Sequence, residues 1–184
     1  NQQKNKMLWG NRAEKRRGSA IMDTNQNFAE LTEKEESELE GKYLTFWTDG
    51  QLFAIPIANV MQIVQMQEIT EIPEFPMYAK GVIDLRGKMI PVMDLRLRLG
   101  KMEAIYDAHT CIIVMNFNDA NVGLIVDSVD EVAPIDEESI SPSPSIGSGV
   151  ASQFLKGLAK NSRGVILLLS LEQVLGDNFY SAFA

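Results

Sequence analysis

His109 and Cys111 are the two side chains of this sequence that could support nucleophilic catalysis, because a histidine can activate a neighbouring cysteine thiol. They lie two residues apart, which places both on one face of an extended strand. However, Cys111 opens the apolar stretch CIIVMNF, where a free cysteine is usually an inert buried side chain. A small cysteine-dependent enzyme is therefore a remote alternative, and it requires an exposed, reactive Cys111 thiol.

Two Asp-Leu-Arg triplets could supply carboxylates for general acid and base catalysis. The triplets place Asp84 with Arg86, and Asp94 with Arg96. Residues two apart share one face of a strand, so opposite charges at this spacing favour a solvated sheet face with cross-strand ion pairs. The sequence therefore predicts no catalytic residue in this region.

No motif predicts a metal or a cofactor. The chain has one histidine and one cysteine, too few for a zinc site of the usual spacing. The Arg-Gly-Lys at 86–88 lacks the upstream glycine spacing and the following Ser or Thr of a P-loop, and no Gly-x-Ser-x-Gly occurs. We therefore expect a protein that is not an enzyme and needs no cofactor.

Length and composition place the chain among ordinary soluble proteins. Its 184 residues suit one domain or two small ones, and 45% of them are hydrophobic. The longest apolar run, 164–171, is too short to cross a bilayer, and the N-terminus has no apolar signal-peptide segment. One cysteine excludes an internal disulfide and fits a reducing compartment. We expect a cytoplasmic protein that does not insert into membranes.

The net charge of −8 is unevenly distributed along the chain. Residues 1–22 carry a net charge of +5, and the remainder carries −13. The acidic body argues against a nucleic-acid partner, which would require a basic surface. The basic segment could contact nucleic acid or an anionic membrane, but its composition favours a solvated tail. The chain begins with Asn, so Met22 could be the natural start, with residues 1–21 added ahead of it.

Short β-rich runs separated by turn residues begin near Lys42, after a predicted disordered acidic tail over 1–40. Asp49-Gly50 joins the first two runs, and this dipeptide supplies the positive φ angles of a type I′ hairpin turn. The remaining sequence predicts further hairpins around 86–88, 118–121 and 161–163.

Helix is predicted in only three short places. The apolar residues of IANVMQIV, 57–64, have helical spacing, and RLRLG is typical of a short helix ended by Gly100. The last predicted helix spans 171–184. The predominance of strands favours a mainly β fold of barrels or a sandwich.

Two blocks of the sequence recur in the same order. Residues 53–64 match 122–133 with an offset of 69, and residues 80–99 match 156–175 with an offset of 76. Each copy of the second block begins with Lys-Gly. The economical interpretation is a duplicated small β-barrel, with units over about 41–107 and 108–176 packed side by side around a groove.

The segment KGVIDLRGKMIPVMDLRLRLG resembles the signature of the CheW family, the adaptors of bacterial chemotaxis arrays. The stretches YLTFWTDGQLFAIPIANVMQIV, VGLIVDSVDEV and FLKGLAK…ILLLSLEQVL also fall in that family's order and spacing. The resemblance covers about residues 42–176. It implies a CheW-like domain over 41–184, built from two intertwined, SH3-like, five-stranded barrels with short helices.

The resemblance also implies a function and partners. Members of this family are non-enzymatic adaptors that bind the regulatory domain of the histidine kinase CheA and the cytoplasmic tips of methyl-accepting chemotaxis proteins. We expect a monomer in isolation. An alternative is a CheW-like module cut from a larger signalling protein, either a receiver-fused adaptor or CheA itself.

Individual positions carry expected roles by the same resemblance. The kinase-binding residues are expected among apolar residues near the first hairpin and short helix, such as Ile63 and Met66; the alternative is that both are core residues. The expected receptor-binding residues are Val60, Gln62, Gly81, Arg86 and Gly123.

Two positions depart from the family pattern, which has Asn in place of Asp84 and often Glu in place of Gln62. With Gln62 uncharged, Arg86 either pairs with Asp84 or is free to meet an acidic group on a partner.

Overall fold

The computed structural model describes residues 34–143 and 149–181. Residues 1–33 of the predicted disordered tail lie outside the described residues, and so do residues 182–184 of the predicted C-terminal helix. The chain divides into two units, 1–40 and 41–184. In the first unit, residues 34–39 are helical and are called α1.

The second unit is mainly β, as the sequence predicted. Its described helices are α2 (Leu95–Arg98), α3 (Leu171–Ser181) and 3-10 turns at Ile57–Asn59, Glu137–Ser139 and Val150–Phe154. Its strands are β1 (Lys42–Thr48), β2 (Gln51–Pro56), β3 (Val60–Gln65), β4 (Ala79–Leu85), β5 (Lys88–Asp94), β6 (Cys111–Phe117), β7 (Ala120–Val126), β8 (Ser128–Pro134), β9 (Ser141–Pro142), β10 (Leu155–Asn161) and β11 (Gly164–Leu169).

These strands form two sheets that exchange hairpins. The first sheet has the order β8-β1-β2-β11-β10-β9, and the second has the order β3-β6-β7-β5-β4. The hairpin β1–β2 thus lies among strands of the second half of the chain, and β6–β7 lies among strands of the first half. The predicted division at residues 107 and 108 therefore does not separate the sheets. The two-residue strand β9 also gives the first sheet a sixth strand.

The two sheets repeat each other in strand order and in register. In the first, β2 runs parallel to β11 with Ala54 opposite Leu168, and in the second, β7 runs parallel to β5 with Gly123 opposite Val92. Ala54 and Gly123 differ by 69 positions, and Leu168 and Val92 differ by 76, which are the two offsets of the sequence repeat. The predicted duplication is therefore confirmed at the level of single residue pairs.

The predicted hairpin turns form because their residues tolerate positive φ. Asp49 and Gly50 have φ angles of 52° and 70°, as expected for a type I′ turn between β1 and β2. Arg86 and Gly87, with φ angles of 53° and 82°, make the same kind of turn between β4 and β5. In both turns a non-glycine residue, Asp49 or Arg86, occupies the left-handed region, which is uncommon outside turns.

The helix predicted over 57–64 is wrong beyond its first turn. A 3-10 turn covers Ile57–Asn59, and Val60–Gln65 continues as β3, whose side chains alternate between half-buried and exposed. The apolar spacing fits both periods over so short a stretch. Pairing with β6 decides the outcome, because the branched side chains of Val60, Ile63 and Val64 suit a pleated sheet.

The inner strands β1, β2, β6 and β7 are buried on both faces, because their apolar side chains alternate between two cores. On β6, Ile112 and Val114 belong to a core on one face of the second sheet, whereas Ile113 and Met115 belong to a core on the opposite face. That opposite core also contains residues of β1, β2 and α3, so it joins the two sheets. A third core, containing Leu52, lies on the other face of the first sheet.

The C-terminal helix α3 is interrupted at Gly176, where φ is 64° and ψ is 158°. Arg98 of α2 binds the carbonyls left free there: its Nε donates to the Val174 oxygen at 2.6 Å, and its Nη2 donates to the Gln173 oxygen at 3.1 Å. The Arg98 guanidinium also lies over the ring of Phe154, 4.8 Å from its centroid. The helix predicted over 171–184 is thus present to Ser181 as two segments anchored by α2.

Thr45 and Thr48 on β1 form a matched pair for a stability measurement, because both are fully buried. The Thr45 Oγ1 donates to Asp130 and accepts from the Glu131 nitrogen, whereas the Thr48 Oγ1 has no partner among the described residues. Valine has nearly the same shape. We expect Thr45→Val to lower the free energy of unfolding by about 2 kcal/mol, and Thr48→Val to leave it unchanged or raise it by up to ~1 kcal/mol.

Urea unfolding followed by circular dichroism measures both variants. Equal losses of stability in the two would show that hydrogen bonding does not distinguish these hydroxyl groups.

Candidate functional site

A cleft of about 200 Å³ opens at one end of the second sheet. We call it the Arg86 cleft, and its lining residues are Met61, Gln62, Leu85, Arg86, Lys88, Ile90, Val114 and Asn121. All of them belong to strands of the second sheet or to the β4–β5 turn. Two of the predicted receptor-binding residues, Gln62 and Arg86, therefore meet within one sheet rather than between the two sheets. The cleft has an apolar wall and cationic side chains at its rim.

The β4–β5 turn presents Arg86 to solvent. The backbone nitrogen of Gly87 donates to Asp84 Oδ1 at 2.8 Å, so the Asp84 carboxylate stabilises the turn. The alternative in which Asp84 pairs with Arg86 is not realised, because no ion pair of Arg86 occurs among the described residues. The Lys88 side chain likewise has no ion pair in the described part of the chain.

Residues on β3 occupy two different surfaces. Gln62 lies opposite Val114 of β6 and faces the Arg86 cleft, whereas Val60 lies opposite Met115 and packs against the core that joins the sheets. Val60 is half-buried and does not line the cleft. The predicted receptor-binding set is thus divided between the cleft and the core.

Gly81 and Gly123 are buried, so they offer no side-chain surface to a partner. A Cβ at Gly81 would lie 2.0 Å from the Thr70 carbonyl oxygen, because the Thr70 backbone pairs with Val82 across the edge of β4. A Cβ at Gly123 would lie 2.7 Å from Val92 Cγ1. Both glycines are required by close packing, and a substitution at either would act on the fold first.

The two predicted kinase-binding residues also differ in exposure. Ile63 points outward from β3, an edge strand of the second sheet, with 44% of its surface exposed. Met66 is half-buried against the core that contains Ile112 and Val114. Ile63 can therefore contact a partner directly, whereas Met66 supports the strand from within.

The second Asp-Leu-Arg triplet is not the solvated strand face that the sequence predicted. Asp94 is 2% exposed and begins α2, where its Oδ1 accepts from the Leu97 nitrogen at 3.3 Å and its Oδ2 accepts from the Tyr106 hydroxyl at 2.7 Å. The pKa of Tyr106 is raised, mainly because burial removes its hydroxyl from water and secondly because of this hydrogen bond to Asp94. Because α2 starts here, Arg96 leaves the strand direction altogether.

Arg96 instead ties the two sheets together. Its Nε and Nη2 donate to the two carboxylate oxygens of Asp127 at 3.0 and 2.6 Å, and its Nη1 donates to Asp49 Oδ1 at 2.9 Å. Asp49 lies in the β1–β2 turn of the first sheet and Asp127 follows β7 of the second. Sequence reasoning missed this cluster, because only the exchange of hairpins brings the β1–β2 turn next to α2.

The remaining candidate chemistry, at Cys111 and His109, is not supported by the environment of the thiol. Cys111 is buried, and desolvation raises the pKa of its thiol, which disfavours the nucleophilic thiolate. His109 is exposed in a turn where its backbone nitrogen donates to Asp107 Oδ1 at 2.8 Å. The cysteine-dependent enzyme required an exposed thiol, and this structure does not provide one.

Comparison with known proteins decides the family. The sequence profile described as CheW-like domain matches residues 42–179. The chain belongs to the CheW-like domain family. It is 32% identical over 136 residues to a chemotaxis protein CheW of Klebsiella aerogenes, covering 74% of this chain and 82% of that protein. It is 34% identical over 134 residues to a probable chemotaxis protein CheW of Rhizobium etli, covering 73% and 86%.

A solved structure of the same family supports the fold. The scaffolding protein TtCheW of Thermoanaerobacter tengcongensis is similar with a TM-score of 0.69 and 36% identity, over 76% of this chain and 94% of that one. Protein FrzA of Myxococcus xanthus, 28% identical over 138 residues, is a further relative. The match spans both sheets of this CheW-like chain. Among the described residues, no helix combines the length and the apolar composition that a membrane span requires.

Proposed function

We propose that this CheW-like chain is a non-enzymatic chemotaxis adaptor that couples transmembrane chemoreceptors to the histidine kinase CheA. One surface binds the regulatory domain of CheA, and the Arg86 cleft contacts the cytoplasmic tip of a methyl-accepting chemotaxis protein. Such partners place the chain in the cytoplasm, where it bridges them as a monomer. Receptor state reaches the kinase because the adaptor makes different contacts with each receptor state.

The observation that carries this proposal is the family match over residues 42–179. The relatives named above as chemotaxis proteins support it. The site is consistent with binding. Apolar side chains such as Met61 and Leu85 line the same cleft as Arg86, and arginine and exposed apolar side chains are both frequent at protein interfaces. The buried Cys111 supports a protein without thiol catalysis.

The exposed position Ile63 on the edge strand β3, next to Gln62 but outside the Arg86 cleft, is the surface we assign to the kinase. Ile63 is exposed there, and the repeat supplies a matched control on the other sheet. Val132 lies 69 positions further along, on the edge strand β8, and is 51% exposed. Ile63 lies opposite Ile113, and Val132 lies opposite the equivalent Leu44, so the two side chains occupy the same place in their sheets.

Calorimetric titration with an isolated CheA regulatory domain, and then with a receptor-tip hairpin, both from the organism that encodes this chain, tests the proposal. We expect saturable 1:1 binding to both. Ile63→Ser should weaken the kinase contact about tenfold, because it removes an apolar side chain from the interface. The same variant should leave the receptor contact unchanged.

Val132→Ser is the control and should change neither affinity. Binding of the folded wild-type chain to neither partner would overturn the adaptor function. An equal loss of kinase binding in Ile63→Ser and Val132→Ser would instead move the kinase contact away from β3.

A further inference from the structure

The two sheets carry different side chains around the turn that joins β10 to β11 and the equivalent turn that joins β4 to β5. In the first sheet, Arg163 of the β10–β11 turn binds Asp130 with two hydrogen bonds, of 2.9 and 2.6 Å, and Glu131 with one of 2.7 Å. Thr45 donates a further hydrogen bond to Asp130 at 2.9 Å. The Arg163 guanidinium, by hydrogen bonding, holds the pKa of the Asp130 carboxyl below its ordinary value. We call these four residues the Arg163 cluster, in which two carboxylates neutralise the arginine.

The Arg86 cleft lies at the equivalent end of the second sheet. By the offset of 69, Met61 corresponds to Asp130, Gln62 to Glu131 and Val114 to Thr45. The registers agree around these positions, including a bulge in the β3–β6 pairing and another in the β1–β8 pairing. An arginine again lies in the adjoining turn, because Arg86 is one position from the equivalent of Arg163 by the offset of 76. The two acids of the cluster are therefore replaced here by uncharged side chains, and its threonine is replaced by a valine that has no hydroxyl.

Among the described residues, Arg86 is therefore left without a carboxylate partner. Arg86 and Lys88 are both exposed at the rim and form no ion pair with other described residues, and the nearby Asp84 carboxylate is bound to the Gly87 nitrogen. The wall behind them is apolar through Met61, Leu85 and other side chains. A site with these properties is complementary to an acidic side chain that is accompanied by an apolar one.

We infer that the Arg86 cleft binds a carboxylate of the partner protein, an aspartate or glutamate next to an apolar side chain, in the place that the acids of the Arg163 cluster fill in the first sheet. The inference deepens the proposed function and rests on it, since the receptor tip is the partner assigned to this cleft. The partner's carboxylate supplies the charge that Gln62 lacks. The absence of an internal acid thus makes the site receptive.

Restoring the internal acid is the sharpest test. Gln62→Glu places a carboxylate at the position of Glu131, where it can pair with Arg86 and compete with the partner. In titrations with a receptor-tip hairpin, we expect Gln62→Glu and Arg86→Gln each to raise the Kd tenfold or more, as for a close interfacial charge pair. Gln62→Met, which adds no charge, should raise the Kd by less than Gln62→Glu does.

A charge control comes from the first sheet. Lys160→Gln removes one positive charge from an exposed position on β10 and should leave the Kd unchanged. The thermal midpoints of the variants, measured in parallel, should stay within a few degrees of the wild type, and Gln62→Glu should not lower its midpoint. A charge reversal, Arg86→Glu, should regain binding to a hairpin in which one acidic residue is replaced by lysine.

The outcomes separate the inference from the proposed function. If the folded wild-type chain does not bind the hairpin, the assignment of the receptor to this cleft fails. If the wild type binds and Gln62→Glu and Arg86→Gln bind equally well, the adaptor function stands and the carboxylate inference is overturned. If Lys160→Gln weakens binding as much as Arg86→Gln, net charge rather than this site controls affinity, and the inference is also overturned.

Discussion

Gly81→Ala is expected to lower the free energy of unfolding by about 4 kcal/mol, a large share of the stability of a domain of this size. The new Cβ would lie 2.0 Å from the Thr70 carbonyl oxygen and 2.8 Å from its carbonyl carbon. Both are backbone atoms, so no side-chain rotation relieves the contact. In addition, φ at Gly81 is 138°, a conformation that alanine rarely adopts.

Gly87→Ala is the matched control for this prediction. Gly87 also has a positive φ, 82°, but a Cβ there would meet no atom of the described residues within 4 Å. Its substitution should therefore cost only about 1 kcal/mol, from backbone strain alone. Urea unfolding of both variants gives the comparison. Similar losses would mean that the Thr70 segment can move away from β4 without penalty, contrary to its two hydrogen bonds with Val82.

Asp94→Ala should lower the free energy of unfolding by about 3 kcal/mol. The buried carboxylate caps α2 through the Leu97 nitrogen and accepts from the Tyr106 hydroxyl. Alanine would remove the cap and leave a half-buried hydroxyl without its acceptor. The loss should be measurable as a decrease in the denaturation midpoint at constant m-value.

Two further variants separate the contribution of the α2 cap from that of the Tyr106 hydrogen bond. Asp94→Asn retains an oxygen for the cap and can still bond Tyr106, so it should recover most of the stability. Tyr106→Phe removes only the hydroxyl and should cost about 1 kcal/mol. If Asp94→Asn is as unstable as Asp94→Ala, the negative charge rather than the hydrogen bonds is what this position requires.

Local features of the fold were predictable because their causes are local. The Asp49-Gly50 and Arg86-Gly87 turns follow from residues that accept positive φ, and α2 ends before Gly100 for the same reason. The duplication was also visible, since side-chain alternation and the Lys-Gly positions recur at constant offsets. The Lys-Gly glycines have a structural cause: at Gly81 and Gly157 alike, a neighbouring segment occupies the space of a Cβ.

Non-local features were not predictable from one sequence. A duplicated barrel gives the same hydrophobic pattern whether each hairpin stays in its own repeat or moves to the other, so the pattern alone did not show that each sheet takes strands from both sides of residues 107 and 108. Likewise, nothing near Asp94 indicates that Tyr106 will cover it. The helical spacing over 57–64 was overruled by pairing with β6, a tertiary effect.

The candidate site was predictable only in part. Gln62 and Arg86 were expected to matter, and they do share one cleft. The sequence signal that distinguishes this cleft from its counterpart is the pair Gln62 and Glu131, 69 positions apart. Its meaning depends on Arg163, which sits one position away from the strict equivalent of Arg86, so only the structure reveals the missing carboxylate.

The exchange of hairpins also governs how this chain can be assembled during synthesis. The hairpin β1–β2 precedes the other described hairpins in the chain, but Leu52 pairs with its parallel partner Ile166, 114 residues later. Until β11 leaves the ribosome, one edge of β2 stays unpaired and the first sheet is incomplete. Long-range pairing of this kind slows folding, and neither half of the chain, released alone, can close a sheet around its own hairpin.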